Sequence, residues 1–270
     1  MQGKVDSFDK ALPGFKQVCL DVPHPTLEHV LLCSLWGNRS DLSLSSGKVD
    51  AAVAGGSAAG NLLVDHVKDF ANYVSSAPKG SRIIMVLDNC GAELLADLRL
   101  AWYLCTQGLK VALHVKPHPV FVSDATRVDV RFHIDRICDE GVAVGEKVRE
   151  LLVKGDIEVY EDDFYTSPLE FPYAPDRLRM MYSAASLLIF KGDANYRRIL
   201  CDRHFPLHFP FAPLVKAVTN TPLLAIRTCK SPVAVGLDPL VYAAAEKADR
   251  DWCVNGTCGM MQFTHCTSGL

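Results

Sequence analysis

The feature that most constrains this chain is a recurring pair: a short apolar run that stops at a polar turn, then a longer segment of helical periodicity. Arg82-Ile83-Ile84-Met85-Val86-Leu87 is rich in β-branched residues and does not alternate with polar ones, as a strand covered on both faces requires. It stops at Asp88-Asn89-Cys90-Gly91. Leu94, Leu95, Leu98, Ala101, Trp102 and Cys105 then recur at helical spacing between Ala92 and Gln107, with Gly108 placed as a C-cap. The pattern returns at Lys110 to Val115, which ends in Lys116-Pro117-His118-Pro119 because prolines do not fit a central ladder. A cap within Ser123-Asp124-Ala125-Thr126 opens the next helix, another covers Val142 to Val153, and Ile157 to Tyr160 reads as a short strand. Glu161 to Pro175 reads as a long loop. Leu187 to Phe190 and Pro222 to Ile226 are further buried strands, Ala194 to Asp202 is helical, and Pro232 to Leu237 is assigned as an edge strand. Together these predict an α/β fold: a three-layer, mainly parallel sheet with helices on both faces.

Residues 1 to about 80 show helical patterning at Leu27 to Leu35 and Leu62 to Val74, with no clear buried strand. The expected organisation is therefore a helical N-terminal extension over 1–80 and an α/β core over 81–270. With 49% hydrophobic and 22% charged residues, disordered, collagen-like and coiled-coil chains are excluded. A net charge of −3 lacks the basic footprint that neutralising nucleic-acid phosphates requires, so no nucleic-acid partner is expected. Ala51 to Val64, a charge-free apolar-leaning stretch, is glycine-broken and shorter than the roughly 20 residues a bilayer needs, so no membrane partner is expected either. The N-terminus carries no signal-peptide pattern, and ten scattered cysteines read as small buried hydrophobes in a reducing compartment. A cytoplasmic location follows, with the nucleus also compatible.

In open parallel sheets, ligands bind outside the carboxyl ends of the strands. Those ends supply Asp88-Asn89, Lys116, Lys191-Gly192-Asp193 and Arg227-Thr228-Cys229-Lys230, and Asp124 stands before the helix after Lys116. Asp88, Asn89 and Asp124 are oxygen donors of the kind Mg²⁺ or Mn²⁺ prefers. The lysines, the arginine and the helix N-termini after Ser123 and Asp193 are suited to a phosphate group. Each residue taken singly also fits an ordinary turn or cap, and the convergence of four such ends is what favours a phosphate or metal pocket.

Other features carry less. Gly55-Gly56-Ser57-Ala58-Ala59-Gly60 lacks the Gly-Lys-Ser/Thr ending of a phosphate loop and follows no strand. His114 and His118 have no acid-base neighbour in sequence, Ser123 has no histidine-acid partner, and Cys253 with Cys258 completes no zinc set.

The blocks Leu35-Trp36-Gly37-Asn38-Arg39-Ser40-Asp41-Leu42-Ser43, Leu87-Asp88-Asn89-Cys90-Gly91-Ala92-Glu93-Leu94, Phe121-Val122-Ser123-Asp124, Phe190-Lys191-Gly192-Asp193-Ala194-Asn195-Tyr196-Arg197 and Arg227-Thr228-Cys229-Lys230 resemble, in this order, the DUF89 family. The resemblance is to its subfamily III damage-control phosphatases, the acidic-residue methyltransferase-like group, whose own marker is Arg-Thr-x-Lys. It implies a metal-dependent phosphatase acting on sugar phosphates such as fructose 1-phosphate and fructose 6-phosphate, with Mn²⁺, Ni²⁺, Co²⁺ or Mg²⁺ as cofactor. It assigns Asp88, Asn89 and Asp124 as metal ligands and catalytic residues. Substrate contacts fall to Asp193, Asn195, Tyr196, Arg197 and Lys230, and Asp88, Asn89 and, from the strand-end reading, Lys116 are expected to join them. Two departures bear on substrate preference: Val120 stands where tryptophan is frequent and Ala92 where an aromatic is. Only 35 residues precede Trp36, so the helical region expected there in the family is short, with a truncated lid as the expectation. Alternative readings are an S-adenosylmethionine-dependent methyltransferase acting on protein glutamates, for which no glycine-rich cofactor loop is seen, and a non-catalytic sugar-phosphate binding module.

Overall fold

A computed structural model describes residues 2–37 and 61–265. Asn38 to Ser43 of the Trp-Gly-Asn-Arg block and the Gly55–Gly60 run lie outside the described residues. Helices α1 (Gln2–Asp21) and α2 (Leu27–Trp36) come first, followed by β1 (Leu62–Asp65) and α3 (Val67–Ser76). The units β2 (Arg82–Val86)–α4 (Ala92–Thr106) and β3 (Lys110–Val115)–α5 (Arg127–Asp139) follow. Next come α6 (Ala143–Lys154), β4 (Ile157–Glu161), α7 (Asp176–Ala184), β5 (Leu187–Lys191) and α8 (Gly192–Ile199). The chain continues with α9 (Ala212–Val218), β6 (Leu223–Thr228), α10 (Pro239–Ala248) and β7 (Gly259–Thr264).

The seven strands form one sheet in the order β1-β7-β6-β5-β2-β3-β4. All neighbours are parallel except β6 and β7. The uninterrupted apolar runs follow from burial on both faces. Ile83, Met85, Ile189, Leu224 and Ile226 enter one core with α1 to α6, while Ile84, Val86, Leu188, Phe190 and Ala225 enter a second with α7 to α9. The expected three-layer α/β architecture is thus observed.

From β2 the chain moves outward through β3 and β4, whereas β5 and β6 are laid down on the other side of β2. The sheet therefore reverses its winding between β2 and β5, and a crevice opens at their carboxyl ends. Asp88 lies just beyond β2 and Gly192-Asp193 just beyond β5.

Several sequence expectations are corrected. Leu62 to Val74 is not one helix: Leu62–Asp65 is a strand paired with β7, and the helix begins at Val67. Four strand residues directly before an amphipathic helix had been absorbed into its periodicity. Pro232 to Leu237 is not an edge strand; Val233 and Val235 pack into the second core while Val233 offers its carbonyl to Arg227. The added strand is β7, antiparallel to β6. The loop 161–175 contains two short 3₁₀ turns, Asp163–Thr166 and Phe171–Tyr173. Of the residues offered as the α5 cap, Thr126 serves, in a capping box with Asp129. Residues 62–65 thus contribute a strand to the sheet, and α1 and α2 pack into its first core.

His114, on β3, is buried and meets the Tyr165 hydroxyl at 2.6 Å, which in turn meets Tyr182 at 3.0 Å. Burial, assisted by Arg82, pushes its pKa down to about 3. The folded protein therefore keeps His114 neutral where the unfolded chain protonates it, so its share of stability is present above the ordinary value of 6.5 and is lost as pH falls toward 3. In urea titrations at pH 7 and pH 5, His114→Gln should shrink the pH-dependent stability loss by about 2 kcal/mol; an unchanged difference would contradict the burial argument.

Candidate functional site

The turn after β2 and the loop before α5 are stitched together by main-chain bonds. Cys90 N donates to Ser123 O at 2.7 Å and Ala125 N to Asp88 O at 2.9 Å, which sets Asn89 opposite Asp124. Lys116 N in turn donates to Ala125 O at 3.1 Å. Three sequence-distant segments are thereby fixed before any side chain is considered.

The side chains complete the arrangement. Lys116 Nζ donates to Asp88 Oδ1 at 3.0 Å and to Asp124 Oδ1 at 2.5 Å, with all three residues buried. Asp124 Oδ2 accepts from the Val120 and Phe121 amides at 2.9 and 2.8 Å. Burial alone would lower the Lys116 pKa, but the two carboxylates outweigh it and hold the ammonium above the ordinary amine value. Asn89 accepts from Ser123 Oγ at 2.6 Å and donates to Asp88 Oδ2 at 3.2 Å and to Glu93 Oε2 at 3.0 Å.

Beneath this lies a buried network. Lys191 Nζ stands 3.2 Å from Asp97 Oδ1 and donates to Ser34 O at 2.7 Å, and Ser34 Oγ donates to Asp97 Oδ1 at 2.6 Å. Burial, with Asp88 and Asp97 nearby, raises the Glu93 carboxyl to about 7 against the opposing pull of Lys191. Asp97 is raised by burial as well. Glu93 and Asp97 have no role in the sequence reading, whereas Lys191, grouped there with the cations suited to a phosphate, is instead buried and held by Asp97 and Ser34. The signal for the two acids is their i, i+4 spacing, Glu93 just before Leu94 and Asp97 just before Leu98, on a helix otherwise apolar on that face.

Gly192 explains the close approach of β5 to this centre. Its φ is +84°, and an added Cβ would stand 2.0 Å from Asp88 Oδ2. Only glycine gives both the backbone conformation and the space.

The remaining predicted residues divide. Asp193 Oδ1 accepts from Lys230 N at 3.1 Å and Ser231 Oγ at 3.3 Å and stands 3.1 Å from Arg227, so it anchors the Arg-Thr-Cys-Lys turn to α8. Lys230 itself is exposed. Asn195 is buried and donates to Leu87 O and Lys191 O, tying α8 to the ends of β2 and β5. Tyr196 turns into the second core, where its hydroxyl donates to Gln262 at 2.7 Å and Arg227 lies over its ring at 4.3 Å. Arg197 pairs with Asp202 at the surface. The structure therefore gathers Asp88, Asn89, Asp124 and Lys116 at one point and Asp193 with Lys230 on the neighbouring turn, while Tyr196 and Arg197 are engaged elsewhere. A cavity of about 90 Å³ adjoins the centre, with Lys116, Asp124, Asn195, Tyr165 and Arg198 among its walls.

Among the described residues no group of three or more His, Cys, Asp and Glu has metal-holding geometry. The set here is two carboxylates and one amide oxygen. Asp88 and Asp124 already close around one positive charge, the Lys116 ammonium, and all available donors are oxygen, so the residues fit a hard divalent cation that keeps positions open.

Residues 2–243 match the Damage-control phosphatase ARMT1-like domain, and the chain belongs to that family. Among its relatives are proteins named Damage-control phosphatase ARMT1: that of Bos taurus is 34% identical over 255 residues, covering 87% of this chain and 58% of the relative. The Xenopus tropicalis protein is 30% identical, with 97% and 68% covered, and that of Danio rerio is 29% identical, with 86% and 56% covered. The chain thus spans little more than half the length of some relatives. The crystal structure of a DUF89 family protein from Pyrococcus horikoshii superposes with a TM-score of 0.54 at 15% identity, covering 96% of this chain and 74% of that one, which shows a shared fold.

Gly192→Ala should destabilise the protein by about 2 kcal/mol or more beyond Gly80→Ala, measured by urea unfolding. Gly80 shares the positive φ but has nothing within 4 Å of an added Cβ, so equal losses would mean that Asp88 does not depend on this contact.

Proposed function

We propose that the chain is a metal-dependent phosphomonoesterase for small phosphorylated metabolites, with sugar phosphates such as fructose 1-phosphate and fructose 6-phosphate as the substrate class. The observation that carries this reading is the convergence of Asp88, Asn89 and Asp124, the residues the resemblance assigns as metal ligands, on the switch point of the sheet.

Asp88, Asn89 and Asp124 would hold a divalent cation, Mn²⁺, Ni²⁺, Co²⁺ or Mg²⁺. Bound there, such a cation polarises phosphoryl oxygens and lowers the pKa of water. The chain's own contribution is positional and electrostatic. Lys116 offsets part of the paired carboxylate charge so that a phosphate dianion can approach. Lys230, its main chain pinned by Asp193 and its ammonium exposed, is placed to meet a phosphoryl oxygen at the rim. The amides opening α8 present positive ends toward the same crevice. Asn195 and Gly192 hold that helix against Asp88, limiting the freedom that would otherwise blur the attack geometry.

The test is a phosphate-release screen over sugar phosphates with Mn²⁺ and with chelator. Release that needs the metal and falls about 100-fold or more in Asp88→Ala, with unfolding unchanged, is expected. Ligand binding without release would instead indicate a binding module, and an active Asp88→Ala would overturn the site assignment.

A further inference from the structure

The first turns of α1 reach both loops of the site. Lys4 Nζ donates to the main-chain oxygen of Asp124 at 2.6 Å and to Asp129 Oδ2 at 2.6 Å, with its side chain only 13% exposed. The same Asp129 oxygen accepts from Thr126 N at 2.9 Å and Thr126 Oγ1 at 2.7 Å, closing the α5 cap. One ammonium therefore joins the carbonyl of Asp124 to the helix cap two residues further on. One turn along α1, Ser7 Oγ lies 2.5 Å from where a Cβ on Gly91 would stand. Phe8 packs edge-on against His133, whose Nε2 accepts from Gly91 N at 2.9 Å. Gly91 ends the Asp88-Asn89 turn, so α1 braces both oxygen-donor segments.

We infer that Lys4 is a positioning residue of this site: it holds the Asp124 main chain so that the Asp124 carboxylate meets the Lys116 ammonium that Asp88 also binds. This rests on the metal-dependent phosphatase reading and adds to it a residue that touches neither substrate nor cation. The charge is what suits Lys4 to the task. A charge-assisted bond to a carboxylate, shielded from water, fixes the donor far better than an exposed pair would. Lys16, further along the same helix, supplies the comparison, since it pairs with Glu140 in a half-exposed bridge remote from the site.

The experiment uses the full chain and measures Mn²⁺ affinity by electron paramagnetic resonance alongside kcat and KM for phosphate release. Lys4→Met should weaken Mn²⁺ binding and lower kcat by about tenfold or more, with KM within about twofold. Lys4→Arg should restore most of both, and Lys16→Met should change neither. If Lys4→Met fails to fold, Lys4→Gln replaces it, keeping a donor without the charge. Mn²⁺ affinity and kcat within about twofold of the parent, or losses that Lys4→Arg does not recover, would overturn the inference. If the parent chain binds Mn²⁺ but releases no phosphate, the phosphatase reading fails, and the Mn²⁺ affinities alone decide the role of Lys4.

Discussion

The Lys116 ammonium, closed between the carboxylates of Asp88 and Asp124, is the interaction around which the rest of the site is arranged. Two buried carboxylates at this separation repel each other and lose their hydration, so they persist only with a positive charge between or beside them. Removing Lys116 would leave that charge uncompensated, whereas a divalent cation can take up part of the same role. The site is built to carry positive charge at this point whether or not a metal is bound.

What holds these groups in place is the sheet. The parallel strands bring β2, β3, β5 and β6 to the same edge, and main-chain bonds fasten Asp88 to Ala125 and Ala125 to Lys116. From below, the Lys191–Asp97 pair and the Ser34 hydroxyl couple α2 and α4 to the end of β5. From the side, α1 reaches the same loops through Lys4 and Ser7. Helices at the start of the chain are thus part of the support of a site whose chemistry lies beyond residue 87.

Much of this was legible in the sequence where local chemistry decided it. The apolar runs of β2, β3, β5 and β6 could only be strands buried on both faces, and their polar ends named Asp88, Asn89, Lys116 and Asp193. Strand β1 was not legible because its four residues merge with the periodicity of α3. Strand β7 was not because an antiparallel partner at this edge depends on tertiary pairing with β6. Tyr196 and Arg197 sit in the right motif, but helical geometry sends adjacent residues to different faces, so membership of a block did not place a side chain at the site. That Lys191, itself named as a strand end, is buried with Glu93 and Asp97 escaped because the cost of this network and its compensation become visible only when three separate elements are brought together.

The account's central claim is that Asp88, Asn89 and Asp124 form one cation-binding centre at the switch point of the sheet. Crystals of the protein soaked with Mn²⁺ and inorganic phosphate would test it most directly through the anomalous signal of manganese. The account predicts a single strong peak at about 2.0–2.3 Å from oxygens of Asp88, Asn89 and Asp124, with phosphate on its open side toward Lys230. A manganese peak bound elsewhere, with Lys116 still closed on both carboxylates and no density between them, would contradict it.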